Sequence, residues 1–485
     1  MATSRGQTGV SGKQFWIWNA IALVLAIAVY MFVPRVDGLT DMGARTLAVF
    51  TWTVILWCAT SVGYSTMGCI CLSVILGLID TDTILGLVFG SSPVVIMVTF
   101  CLATDVLMEC GFLDYAVRWE LSRNLLKQRP YLFLTLFAYF VMFIGSLFSQ
   151  IITVFVFCGA AKEFCEMMGY KRGEKFHTSM MCIVLWVACI GESILPFKGL
   201  GIIVTNAIRN IGINFDFVNH CKIAIPFALL YPVLMLIVVK FFIRPDVSLY
   251  NEFDAEGMRR QIKEVRITLK MKIVMISYIL MLLIWVFPYM PFCPESIASV
   301  LLSWGSVFPS LVLCVVYAYI RIDGKPLLDL EQDWSKVRWN AAIFAGGILV
   351  FSALFANPEG GVSSWMSNLI SHTPAGRLSF VPLVVLAVYV TMLLTQFTSN
   401  GVVATTIGMA FYSVLALQRT DFGTSFFTIM LLSCGTAFLT QAASPIIPCA
   451  LGSTGFVDNK DALKPGIVML VLAGVLVSVC GIALG

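Results

Sequence analysis

Two short stretches decide how this chain is read: Gly145-Ser146-Leu147-Phe148-Ser149-Gln150-Ile151 and Thr395-Gln396-Phe397-Thr398-Ser399-Asn400-Gly401. Neither carries a charge, and both sit between apolar flanks. These run from Tyr131 to Ile144 and Ile151 to Phe157 in the first case, and from Val381 to Leu394 and Val402 to Met409 in the second. A water-exposed turn ordinarily carries Lys, Asp or Pro, whereas irregular backbone at membrane depth survives only where protein or a wet cavity satisfies it. The stretches read as tips of two re-entrant helical hairpins. The plainer alternative is a turn held by local Ser and Asn hydrogen bonds.

The surroundings of the tips recur in register. Ser149 and Ser399 are 250 residues apart, and each lies 38 residues after a Gly that closes an apolar run, Gly111 after Glu109-Cys110 and Gly361 after Glu359-Gly360. Downstream, Pro196 follows Ser149 by 47 residues and Pro445 follows Ser399 by 46. Both prolines interrupt a second apolar segment, at Gly191-Glu192-Ser193-Ile194-Leu195-Pro196-Phe197-Lys198-Gly199-Leu200-Gly201 and at Thr440-Gln441-Ala442-Ala443-Ser444-Pro445-Ile446-Ile447-Pro448. Pro removes a backbone donor and Gly tolerates unwound backbone, so these read as broken helices. Freed carbonyls can coordinate Na⁺, and half-helix N-termini present partial positive charge to an anion. A Pro-kinked spanning helix is the bland alternative for either break alone. Paired tips and paired breaks in corresponding positions predict a repeat-built secondary transporter with its substrate at the breaks.

Composition sets the solvent. Of 485 residues, 59% are hydrophobic and 12% charged, with a mean hydropathy of +0.92, too little polar surface to cover a water-soluble fold. The fold class that follows is an all-α polytopic membrane protein. Apolar runs from Trp16 to Val33, Ile223 to Ile243 and Ile467 to Leu484 are each long enough to cross a hydrocarbon core of about 30 Å. The length accommodates roughly ten to twelve such elements. The run from Trp16 follows Arg5 and Lys13 but exceeds a signal core of about 7 to 15 residues and ends at Val33-Pro34-Arg35 without a cleavage site, so it reads as a retained helix. The 15 cysteines, among them Cys58, Cys101, Cys182 and Cys434, show no CxxC spacing and read as packing residues.

Charge gives orientation. Arg259, Arg260, Lys263, Arg266 and Lys270 lie between Arg244 and Lys272, and the positive-inside rule assigns that interval to the cytoplasm. The chain then divides into an N-terminal transmembrane helix and loop (1–43), a first inverted repeat (44–243), the basic loop (244–272) and a second inverted repeat (273–485). The expected tips lie near 145–151 and 395–401, and the expected broken helices near 191–201 and 440–448. Arg118, Arg123, Lys127, Arg129, Lys162, Lys171, Arg172 and Lys175 flank the first tip, whereas only Arg377 and Arg419 flank the second. One hairpin is therefore expected to enter from the cytoplasm and the other from outside, as an inverted repeat requires. The expected location is a plasma or cytoplasmic membrane, spanned several times, with the N-terminus in the cytoplasm.

At these residues the chain resembles the divalent anion/sodium symporters, the dicarboxylate, citrate and sulfate carriers of the ion transporter superfamily, as a divergent member. The resemblance covers nearly everything after Leu39. It rests on Leu56-Trp57-Cys58-Ala59-Thr60-Ser61, on Trp339-Asn340-Ala341-Ala342-Ile343-Phe344-Ala345-Gly346-Gly347, on the Ser399-Asn400 tip, and on Ala443-Ser444-Pro445, which is similar to the family's Ala-Thr-Pro. It implies a carrier of small dianions such as di- or tricarboxylates, coupled to Na⁺. It further implies a homodimer in the lipid bilayer, in which a transport domain moves like an elevator against a scaffold. Substrate contacts would come from Ser149, Gln150, Thr398, Ser399, Asn400, Ser444 and Pro445, and Na⁺ ligands from Asn400, Gly401, Ala443, Ser149 and Gly199.

The departures are specific. Gln150 stands where the family has Asn, Ile151 where it often has Thr, and Gly401 where it has Thr. Gln keeps an amide that can donate and accept but adds a methylene. The first break lacks the family's Thr-Pro wording and offers Glu192 and Lys198 instead. Two readings stand for Lys198. Its ammonium can take the place of a first Na⁺ or neutralise an anionic substrate, which would make transport Na⁺-independent or proton-linked, or it snorkels to the interface or pairs with Glu192.

Other classes find little support. His177, His220 and His372 share no ligand spacing, and Glu109 and Glu359 near helix ends suit an interface, while Asp105 inside an apolar stretch can face a cavity. The chain carries no His-Glu-x-x-His, Gly-x-Ser-x-Gly or P-loop pattern. The expectation is therefore no enzyme, no cofactor beyond a coupling cation, and no nucleic-acid partner. An anion channel stays open as an alternative, because irregular backbone lining a wet cavity can also build a selectivity filter.

Overall fold

A computed structural model describes residues 12–60, 62–112, 115, 128–147, 150–171, 173–196, 199–210, 212–252, 267–289, 293–305, 307–337, 339–373, 377–397, 400–440 and 459–485. Among these, the sheet is a two-residue antiparallel ribbon, Arg321–Ile322 against Lys325–Pro326. Everything else of size is helical. Seven helices are long and apolar enough to cross a membrane, or eight if the pair Glu295–Ser303 and Phe308–Tyr319, bent by 73°, is one span. The chain is a helical, multi-pass membrane protein. Against the roughly ten to twelve spanning elements that the length accommodates, the described residues hold these seven or eight, with Gly63–Ile75, Ala342–Ala356 and Phe380–Leu394 as apolar helices of less than a full span.

The helices used below are, in chain order, α1 (Gly12–Phe32), α2 (Asp41–Ala59), α3 (Val62–Ile75), α4 (Thr81–Val88), α5 (Ser92–Glu109), α6 (Pro130–Leu147), α7 (Gln150–Met167), α8 (Lys175–Ile194), α9 (Gly199–Asn210) and α10 (Phe217–Val238). They continue with α11 (Leu269–Val286), α12 (Glu295–Ser303), α13 (Phe308–Tyr319), α14 (Trp339–Ala356), α15 (Val362–Ser371), α16 (Phe380–Leu394), α17 (Asn400–Gln418), α18 (Gly423–Cys434) and α19 (Asn459–Leu484).

Burial separates lipid-facing helices from central ones. Only 11% of the α1 span is buried, with Trp16, Val24 and Phe32 exposed, whereas 89% of the α8 span is buried. An apolar helix open on most sides suits lipid, and one apolar all round and enclosed forms the core of a bundle. Around α8 pack α6, α7, α10 and α18, while α5, α11 and α13 pack together elsewhere, as do α14, α3 and α4.

Local chemistry explains where several helices stop. Gly111 follows α5 with φ +79°, and Gly361 follows α14 with φ +68°, left-handed backbone that Gly adopts without the cost a Cβ imposes. At Gly361 a Cβ would also fall 1.9 Å from the Gly38 carbonyl oxygen, and the Thr40 hydroxyl donates to Glu359 O at 2.7 Å. The α14 end is thereby pinned to the loop before α2. Helix α8 stops at Ile194 because Leu195 is extended, at φ −101° and ψ 123°, as the residue before a proline prefers.

The numerical register of the sequence reappears in the helices. Pro130 and Phe380 start α6 and α16, and Gln150 and Asn400 start α7 and α17, each pair 250 residues apart. Side chains follow the same spacing. Tyr139 of α6 donates its hydroxyl to Leu229 O of α10, and Tyr389 of α16 donates to Val471 O of α19 at 2.9 Å.

Candidate functional site

The second tip is the better described. Helix α16 ends at Leu394 and α17 starts at Asn400, which agrees with the expected turn at 395–401. Thr395, wholly buried, donates its hydroxyl to Asn400 Oδ1 at 2.6 Å. With the oxygen turned inward, the Asn400 amide N–H groups are left for acceptors other than Thr395. One turn on, the Thr405 hydroxyl donates to Gly401 O at 2.7 Å within the π-turn Val403–Ile407. Such single π-turns inside α-helices recur at functional sites. Asn400 Oδ1 and Gly401 O, both in the expected Na⁺ set, each accept one hydroxyl.

Behind the tip lies Gln396, 2% exposed. Its Nε2 donates to Met392 O and to Thr436 O, both at 2.9 Å, and its Oε1 accepts from Leu439 N at 2.9 Å. Its backbone carbonyl accepts from the Thr440 hydroxyl. The second break, which the sequence places near 440–448, lies almost wholly outside the described residues, and the chain leading to it is already irregular. Helix α18 already ends at Cys434, and Gly435 to Thr440 are not helical. The Thr436 hydroxyl turns back onto Ser433 O at 2.6 Å, and Gln396 takes the polar groups of Thr436 and Leu439. Side chains that bond backbone groups compete with helix, which accounts for the irregular chain from Gly435 to Thr440.

The first tip is bounded by the end of α6 at Leu147 and the start of α7 at Gln150, which is half-buried. It is held from outside its own hairpin, since Tyr278 of α11 donates to Leu147 O at 2.9 Å and meets the Thr104 hydroxyl of α5 at 3.3 Å. The hairpin's first limb lies against α8 through glycines. A Cβ on Gly191 would fall 2.7 Å from Met142 O and 3.1 Å from Ser146 N, a close approach of the kind small residues permit between membrane helices.

The first break, the end of α18 and the second tip converge. A Cβ on Gly435 would lie 2.7 Å from Ser193 Oγ, so the unwinding after α18 abuts the last turn of α8. The Cys189 thiol of α8 points at Ala437 O, 3.9 Å away. At the tip, a Cβ on Gly401 would stand 2.7 Å from Ile348 Cδ1 and 3.8 Å from Leu200 Cδ1, which puts the start of α17 beside the restart α9. Gly201 packs back on the first break, where its Cβ would lie 2.6 Å from Pro196 Cα.

Residues that sequence reasoning passed over complete the arrangement. His220, wholly buried near the start of α10, has Nε2 2.8 Å from Ile194 O and Nδ1 3.0 Å from the Thr428 hydroxyl of α18. A carbonyl only accepts, so Nε2 carries the proton, and in the neutral ring Nδ1 accepts from Thr428. Ile194 O is the last α8 carbonyl before the break. His220 therefore satisfies a group that the break frees and ties it to the other half of the chain. A search for metal-ligand spacing cannot find such a histidine, whereas a search for buried donors near freed carbonyls can.

Of the expected site residues, Gln150, Asn400, Gly401 and Gly199 fall on described positions, at the starts of α7, α17 and α9. Ser149, Lys198, Thr398, Ser399, Ala443, Ser444 and Pro445 lie outside the described residues. Glu109, expected at an interface, is half-exposed and bonds Lys336 Nζ at 2.5 Å, and Glu359 is exposed. Comparison with protein-family models and with curated proteins found no match for this chain.

Proposed function

We propose that the chain is a secondary active transporter of small divalent organic anions, di- or tricarboxylates, coupled to Na⁺ and working by an elevator motion of a homodimer. The observation that carries the reading is the meeting of the ends of α8 and α18 at Ser193 and Gly435, with the Asn400 tip beside the restart at Leu200. Unwound backbone from two helices and a hairpin tip, enclosed by apolar helices, gathers carbonyls for a cation and N–H groups for an anion in one place. Asn400 supplies an amide whose oxygen is already committed to Thr395, so its N–H groups serve carboxylate oxygens. The helix starts and the Tyr139 and Tyr389 contacts, each 250 residues apart, support an internal duplication. The basic residues around the first tip favour inversion of the two copies, with the N-terminus and the 244–272 loop in the cytoplasm. The family resemblance supplies the substrate class and the elevator.

Uptake of a labelled substrate panel (succinate, citrate, sulfate) into proteoliposomes, with and without a Na⁺ gradient, tests the proposal. Saturable dicarboxylate uptake with counterflow that rises with Na⁺ is expected. Saturable uptake indifferent to Na⁺ would instead mark an exchanger or proton-linked carrier, and unitary anion currents a channel.

A further inference from the structure

We infer that Gln396 is the positioning residue of the second half's site, its side-chain amide fixing the Asn400 tip against the unwound chain 435–440. The inference rests on the proposed function, since what is positioned there is a substrate and cation cradle. Gln396 is 2% exposed, and both ends of its amide are engaged. Nε2 donates to Met392 O, which closes the end of its own helix, and to Thr436 O across the gap; Oε1 accepts from Leu439 N. Its main-chain carbonyl takes the Thr440 hydroxyl. Three bonds therefore cross from hairpin to unwound segment at one residue.

The chemistry admits little else. Two carbonyls face N–H donors and one backbone N–H faces an acceptor, and a primary amide offers that set in one plane. A carboxylate would face two carbonyl oxygens, and an apolar side chain of the same size would leave Met392 O and Leu439 N without the partner seen here, while Thr436 O would keep only the Phe438 N–H. The tip is adjacent, because Thr395, the preceding residue, holds Asn400 Oδ1 at 2.6 Å. Displacement of Gln396 thus moves the amide that would meet the substrate, and sites of this kind tolerate only about 0.5 Å of misplacement.

Among the described residues, the matching position of the first half carries no such brace. Ser146, 250 residues earlier, is too short to cross and donates to Phe143 O of its own helix at 2.7 Å. The first break is held instead by His220 on Ile194 O.

The test uses the full chain in proteoliposomes, comparing wild type with Gln396→Met and Gln396→Glu. Two quantities are read: the KM and maximal rate of saturable dicarboxylate uptake across a pH series, and hydrogen exchange at the Leu439 amide without substrate. For Gln396→Met we expect KM to rise about tenfold or more with a smaller change in maximal rate, and faster Leu439 exchange. For Gln396→Glu we expect a similar defect at alkaline pH that shrinks on acidification relative to wild type, because the protonated carboxyl donates one of the two lost hydrogen bonds. KM within about twofold of wild type in both variants at every pH, or unchanged Leu439 exchange, overturns the inference. If wild type takes up no dianion, the proposed function falls, and the exchange measurement alone decides whether Gln396 braces the segment.

Discussion

Ser193 and Gly435 face each other where α8 and α18 end, so closely that a Cβ on Gly435 would lie 2.7 Å from Ser193 Oγ and 3.2 Å from both Ile190 Cδ1 and Leu432 O. Ser193 is 2% exposed, which leaves its hydroxyl little room to withdraw. Gly435→Ala should destabilise the protein by about 1–3 kcal/mol through overpacking. Ser193→Ala in the same chain removes the nearest atom and should return part of the loss. Melting of the detergent-solubilised single and double variants measures the coupling. Strictly additive effects would show that the two residues do not constrain each other.

Gly401 lies at the start of α17 with little room around it. A Cβ there meets Ile348 Cδ1 at 2.7 Å and Phe344 Cε1 at 3.7 Å. The near atom is the end of a flexible side chain, so Gly401→Thr should be tolerated in folding yet displace the start of α17 and reduce uptake. Ile348→Ala should restore uptake in the Gly401→Thr background. Failure of the double variant to recover would place the defect elsewhere than this contact.

The helix ends at Leu147 and Leu394 were legible because uncharged polar residues between long apolar flanks interrupt the apolar pattern there. The first break was legible for a local reason, since Pro196 dictates the backbone of Leu195. The end of the helix before the second, at Cys434, was not legible because its cause is not local. Gln396 lies 40 residues from Thr436 in the chain and reaches it only in the fold. His220 was unreadable for the same reason, with partners 26 and 208 residues away. Periodicity and proline report on neighbours in sequence, whereas the groups that satisfy a broken helix come from other helices.

Asn400 tests the tip directly. Its oxygen is engaged by Thr395, and its N–H groups are the part that would meet a carboxylate. Asn400→Ala should abolish saturable dicarboxylate uptake while expression and membrane insertion persist. Thr395→Val, which frees the Asn400 oxygen to rotate, should weaken uptake less and chiefly through KM. Wild-type uptake by Asn400→Ala would remove the tip from the substrate site.

Lys336 joins the two halves outside the spans. Its ammonium bonds Asp333 Oδ1 at 2.7 Å and Glu109 Oε1 at 2.5 Å, and these carboxylates, Asp333 foremost, hold its pKa above the usual lysine value. A raised folded pKa stabilises fully below the unfolded value of about 10.4 and is lost as pH climbs through the folded one. Lys336→Met should therefore lower the melting point by a constant amount from about pH 6 to about pH 9, with the gap to wild type closing only at higher pH. With Lys336 and Glu109 side chains 42% and 49% exposed, solvent screening limits the loss to about 1 kcal/mol. A gap that widens with rising pH would contradict this sign.

His220 is the sharpest test of how the first break is held. Removing its ring strands Ile194 O in the interior, at a cost of about 1–3 kcal/mol for the unpaired carbonyl alone. His220→Ala should lower both melting temperature and uptake. The two amide replacements then separate the ring nitrogens. In Gln the terminal nitrogen can reach the place of Nε2 and donate to Ile194 O, whereas Asn, one methylene shorter, mimics Nδ1 and meets only Thr428. Gln should recover more stability than Asn, and Thr428→Val should matter in wild type but little in His220→Gln. Recovery by Asn equal to that by Gln would mean that the Thr428 contact, and not the freed carbonyl at the break, is what His220 serves.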